Sequence, residues 1–133
     1  MTNKEYNTKI NDIADKVFGA LDASINDMEE LDRQIIAAYL FGMINAYSMT
    51  NGATHEQVQA GVTAILNQRF GYGIESAVEF FFYLVKCISK EYHPTMNVII
   101  CRGLDSYEDI DDAQKIKDEV YRMIDILREE VNE

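Results

Sequence analysis

The stretch YHPTMNVIICRGLD, residues 92 to 105, concentrates much of the chain's reactive chemistry. It holds one of two histidines, one of two cysteines, the only proline, an arginine and an aspartate. His93, two residues from Glu91, has the makings of a general base held by a carboxylate. With Arg102 and Asp105 it would give a small ligand-binding or catalytic centre. The plainer reading is that His93 bonds a neighbouring backbone group where a helix starts. Arg102 and Asp105 stand three apart: they either pair locally, worth a few tenths of a kcal/mol, or point at a partner.

The other reactive groups form no constellation. His55 falls in the first turn of a helix and reads as solvated. It is far along the chain from His93, and Cys87 and Cys101 have no ligand spacing, so neither a metal nor a cofactor is expected. No HExxH, CxxC, GxSxG or phosphate-binding loop occurs. The glycines of GYG, 71 to 73, follow no strand and read as a helix stop. Glu75 and Glu79 lie one turn apart on a solvated face. Cys87 reads as a core filler, and nothing marks Cys101 as an activated thiol.

Apolar residues recur at helical spacing almost throughout. A first helix is expected over about 3 to 24, with the stripe Tyr6, Ile10, Ile13, Val17 and Leu21. A second starts near Asp27, with Glu29 and Glu30 favoured by the helix dipole, and stops at Asn51-Gly52. Thr54 with Gln57 three residues on makes a capping box for a third helix carrying Val58, Val62, Ile65 and Leu66. Gly71 and Gly73 suit a left-handed close to it. A fourth, containing SAVEFFFYLVKCI, is apolar nearly all round and is expected beside helix two at the centre. Pro94 suits the first position of a fifth helix, and the proline holds His93 out of helical geometry.

On that fifth helix Met96, Ile99, Ile100, Gly103, Leu104 and Tyr107 share one arc. Asn97, Cys101, Asp105 and Glu108 lie opposite, with Arg102 and Thr95 beyond them. A last helix, 111 to 131, repeats Ala113, Ile116, Val120, Ile124, Leu127 and Val131; it covers its own core or offers a seam for a dimer. Surface pairs are expected at Glu5/Lys9, Asp12/Lys16, Asp111/Lys115 and Asp118/Arg122. The fold class is thus all-α, one domain over residues 1 to 133, a bundle of about six helices with helices two and four central.

The chain has 133 residues and a net charge of -11. Such a surface repels nucleic acid and anionic membranes and steers a basic protein or cationic ligand. The acids cluster at NDMEELD, 26 to 32, which suits a helix start. They cluster again at LDSYEDIDD, 104 to 112, where Asp111 can cap. There Asp105, Glu108 and Asp109 lack a structural reason, and Tyr107 adds an aromatic of the kind found in binding hot spots. The N-terminus is polar, no apolar run approaches the ~20 residues of a bilayer span, and two cysteines make no disulfide framework. A cytoplasmic protein is expected.

The blocks IIAAYLFGMINAYSM, 35 to 49, and YHPTMNVIICRGLDSY, 92 to 107, resemble immunity proteins of bacterial polymorphic toxin systems, specifically the predicted immunity protein family 48. The similarity spans about residues 5 to 127, and HPTMN…RG.D.Y is its most specific part. The resemblance implies an all-helical cytoplasmic protein without catalytic activity. Such a protein binds a cognate secreted toxin domain and blocks it. The matching positions are His93, Pro94, Thr95, Met96, Asn97, Arg102, Gly103, Asp105 and Tyr107. Cys101 and Ser106 depart from the family pattern, which has histidine and glycine there. This puts a metal or acid–base role for the block in question.

Two kinds of evidence therefore point to stoichiometric binding of a toxin C-terminal domain with a basic site. The expected contact residues are His93, Asn97, Arg102, Asp105, Tyr107, Glu108, Asp109 and Asp112, the acids acting as phosphate mimics. A ligand-binding protein or enzyme centred on His93, Arg102 and Asp105, and a dimerisation module using the last helix, stay open. So does self-association.

Overall fold

Six α-helices build the chain in the computed structural model, which describes residues 1–132, with side chains through Glu130. Helix α1 is Asn3–Leu21, α2 Glu30–Thr50, α3 His55–Gln68, α4 Ile74–Lys86, α5 Pro94–Ser106 and α6 Ala113–Asn132. Short 3₁₀ turns occupy Ile25–Asp27 and Tyr107–Asp109. Among the described residues there is no strand. The all-α reading holds.

Local chemistry explains most boundaries. Thr2 accepts from the Glu5 amide and caps α1, and Asp22 turns left-handed at φ 51° to close it. Thr54 and Gln57 form the expected reciprocal box. Gly52 and Gly71 take φ of 68° and 77° at the ends of α2 and α3, a region open to glycine for want of a Cβ. Gly73 does not: it is extended and precedes α4 as its N-cap. Helix α2 begins three residues later than expected, because Ile25–Asp27 forms its own turn and Met28 is extended.

Helix α2 is buried on all sides and forms the axis of the bundle. Its main partner is α5, while α1 packs on α6 and α3 on α4. The approach of α2 to α5 depends on two glycines. A Cβ on Gly42 would stand 2.8 Å from the Leu104 nitrogen and closer still to the Ile100 carbonyl oxygen. A Cβ on Gly103 would stand 2.9 Å from the Tyr39 carbonyl carbon and closer still to its oxygen. The two backbones touch without intervening side chains.

This pairing corrects the expectation that α4 lies centrally. Of α4, Ala77, Phe81 and Leu84 are buried, whereas Ile74, Phe82 and Val85 are exposed. Apolar content measures how much a helix can bury but not which helix wins the place beside α2; the close glycine contact gives it to α5. Helix α4 reaches the core through Phe81, whose ring meets Phe41 edge-on at 6.1 Å.

Helix α6 buries Ile116, Val120, Ile124 and Leu127 as expected; the side chain of Val131 lies outside the described residues. Arg128 pairs with the buried carboxylate of Asp32 on α2. None of the expected i,i+4 surface pairs forms an ion pair among the described residues. Lys16 bonds Asp111, Lys115 bonds Asp109, and Asp118 accepts from Gln114. Local pairs are worth a few tenths of a kcal/mol, too little to hold a lysine whose longer reach meets another carboxylate.

Candidate partner-binding face

Helix α5 positions most of the residues singled out by the sequence. Pro94 takes its first position, and His93 is extended at φ −154°. The His93 Nδ1 accepts from the Met96 amide at 3.1 Å, the backbone role that the plainer reading assigned. Asn97 donates to the Ile88 carbonyl at 2.9 Å and the Cys87 carbonyl at 3.2 Å. It thereby satisfies carbonyls left open where α4 ends. Met96, Ile99, Ile100 and Gly103 face the core.

The end of α5 is fastened by a polar cluster that the sequence did not announce. Ser106 is buried, and its hydroxyl and that of Tyr39 both donate to Glu119 Oε1 on α6, Tyr39 at 2.8 Å. Burial, reinforced by the Glu119 carboxylate, pushes the Tyr39 phenol far above its ordinary value. Three helices meet at one carboxylate.

The eight residues expected at a contact surface do not form one cluster. Tyr107 turns toward α1 and α2, half-buried, with its ring 6.3 Å from that of Tyr47. Asp109 is ion-paired with Lys115, whose ammonium pKa it raises. Asp112, not Asp111, caps α6 by accepting from the Lys115 amide at 3.1 Å. His93 and Asn97 sit at the opposite end of α5 in the bonds just described. Arg102, Asp105 and Glu108 are exposed and make no ion pair among the described residues.

Thr95, Val98, Arg102 and Asp105 share one stripe of α5, by its period of 3.6 residues. Beside that stripe runs a groove of about 760 Å³ between α5 and α6, lined by Val98, Arg102, Asp118, Arg122, Met123 and Ile126 among others. It adjoins a smaller hollow of about 250 Å³ that shares Val98, Met123 and Ile126 and reaches Pro94. Val98 is 51% exposed and Ile126 49%. Both fall off the buried arcs of their helices. A large aliphatic outside the buried arc is the signal that sequence reasoning passed over.

Among the described residues no group of three or more His, Cys, Asp or Glu is placed to hold a metal ion. No described helix is long and apolar enough to cross a membrane.

The chain belongs to the Immunity protein 48 family, whose family model matches residues 6–128. Comparison with curated proteins and with solved structures gave no match. Membership supports an immunity role, with a cognate toxin protein as the partner.

Proposed function

We propose that this protein neutralises a secreted toxin domain in the cytoplasm of the producing cell by stoichiometric binding, without chemistry of its own. The outer stripe of α5 and the turn after it make the contact. One observation carries this reading. Within the block of the family resemblance, His93, Pro94, Met96, Asn97, Gly103 and Tyr107 each have a visible structural task. Arg102 and Asp105 have none and stand exposed without an ion-pair partner among the described residues.

Asp105 and Glu108 remain as the exposed unpaired acids of the cluster once Asp109 and Asp112 are engaged. In this reading they are the carboxylates that enter a basic, phosphate-binding cleft on the toxin. The net charge of -11 speeds the encounter, and association should slow as salt rises. The test is coexpression with the C-terminal domain encoded immediately upstream. A one-to-one complex and restored growth are expected, and Arg102→Ala with Asp105→Ala should lose protection while the chain stays folded. Absence of any complex at micromolar concentration would sink the reading.

A further inference from the structure

Helix α4 has two apolar faces, and the core uses one. Ala77, Phe81 and Leu84 are buried. Ile74, Val78, Phe82 and Val85 make a second stripe at the helical period, and Ile88 continues it in the turn that follows. Ile74, Phe82, Val85 and Ile88 are 40% to 66% exposed, and Met49 of α2 is 73% exposed. Phe82, Val85, Ile88 and Met49 line one hollow of about 380 Å³, to which no Asp, Glu, Lys or Arg among the described residues contributes. These side chains leave on the order of 500 Å² of apolar surface in water, the size of the largest patch on a typical monomer and often a functional one.

The polar flank of that stripe is ordered by sign. Glu75, Glu79 and Lys86 fall within about 40° of one another around α4, the acids toward its start and the lysine at its last residue. Lys90 lies beyond the end, and Glu91 beside it accepts from the Ser89 hydroxyl. Glu75, Glu79, Lys86 and Lys90 are in no ion pair among the described residues; the Lys86 ammonium stands 5.8 Å from the centre of the Tyr92 ring. Between residues 74 and 90 acids and lysines balance, so this face lacks the excess of acid that the rest of the chain carries.

We infer that this stripe is the contact of a two-fold dimer, in which α4 of one protomer lies antiparallel on α4 of a second copy with Phe82 near the axis. The stripe reads alike in both directions about that point. Phe82 meets Phe82 of the partner subunit, Val78 meets the partner's Val85, and Ile74 meets the partner's Ile88. Lys86 then falls between the partner's Glu75 and the partner's Glu79, and the mirror contact repeats across the axis. A parallel pairing would set each charge against its own kind. The α6 stripe is not free for this role, because Ile116, Val120, Ile124 and Leu127 are spent on the chain's own core. The core closes without the outer face of α4, so the protomer folds alone and the pairing is reversible. Two such faces bury on the order of 1,000 Å², the weak, transient end of specific interfaces. The inference is independent of the immunity reading. None of its residues lies on α5 or in the turn after it, and each protomer keeps its own face for one toxin domain.

Sedimentation equilibrium of the full-length chain, from micromolar to near-millimolar concentration, tests this. A monomer–dimer equilibrium is expected without higher species, since a two-fold contact closes on itself. Phe82→Asp should weaken it by about thirtyfold or more. Glu75→Lys with Glu79→Lys makes the chain less acidic, which favours self-association in general, yet should weaken this dimer about tenfold, each change counting twice across the axis. Adding Lys86→Glu to that pair should restore it. All four positions are exposed, so circular dichroism should report an unchanged fold. A wild-type chain that stays monomeric throughout overturns the inference. So does a dimer indifferent to Phe82→Asp, or one tightened by Glu75→Lys with Glu79→Lys. Each of these leaves the immunity reading standing. A monomeric wild type whose toxin binding is lost in Phe82→Asp would overturn the dimer and give the face to the toxin instead.

Discussion

Gly103 rests directly on the backbone of Tyr39: a methyl group at position 103 would lie 2.9 Å from the Tyr39 carbonyl carbon and nearer to its oxygen. Gly42 makes the reciprocal approach to Ile100 and Leu104. Since the obstacle is backbone, no side chain can swing aside. Gly42→Ala and Gly103→Ala should each destabilise the fold by on the order of 3 kcal/mol. Gly19, in α1, has nothing within 4 Å of such a methyl, so Gly19→Ala should stabilise by up to about 1 kcal/mol. Urea denaturation of the three variants gives the comparison. Equal effects at positions 19 and 103 would refute the close crossing.

Adjacent rings on α4 should behave oppositely. Phe81 is 6% exposed and packs on Phe41, while Phe82 is 47% exposed. Phe81→Ala should cost about 3–5 kcal/mol and Phe82→Ala under about 1 kcal/mol. Thermal melts of both are sufficient. A large loss at Phe82 would restore α4 to the centre.

His93 acts through one acceptor bond to the Met96 amide. His93→Ala should cost about 1 kcal/mol, and His93→Asn, which keeps a capping acceptor, much less. Both variants should still protect cells from the toxin. Folded His93→Ala protein that binds its partner normally yet fails to protect would revive a chemical role for this residue.

Alkaline pH should loosen the fold through its tyrosines. Burial raises the phenols of Tyr6, Tyr39, Tyr47, Tyr72 and Tyr83, the last to about 12, with the Cys87 thiol adding to it. The folded chain therefore holds protons that the unfolded chain releases near pH 10. Their stabilising contribution is complete below about pH 10 and declines as pH climbs through the folded-state values. The urea midpoint should be level from pH 7 to 9 and fall above 10, with tyrosinate absorbance lagging behind that of the denatured chain. A midpoint indifferent to pH up to 11.5 would contradict the burial of these hydroxyls.

Helix starts and stops were legible because they are written in neighbours: Thr54 with Gln57, Pro94 after His93, Asn51 before Gly52. The order of packing was not. Nothing local to Gly42 or Gly103 reveals that the two lie across one crossing, and a run such as FFFYLV looks equally central whichever side of it is covered. The candidate contact surface was half legible. Arg102 and Asp105 emerged from spacing, whereas Val98 and Ile126 needed the arcs of two helices to be compared. Glu119 could not be foreseen as the meeting point of Tyr39 and Ser106, since those residues come together only when three helices are in place.

The axis helix ends at Thr50, yet the helix that seats against it backbone to backbone starts at Pro94. A growing polypeptide therefore emerges from the ribosome with its axis helix uncovered on that side through the synthesis of α3 and α4. Closing so long a loop slows folding, and a product cut short before Gly103 has no means of sealing α2. Protection of a newly made cell would then lag translation, and nonsense fragments would be handed to proteases instead of to the toxin.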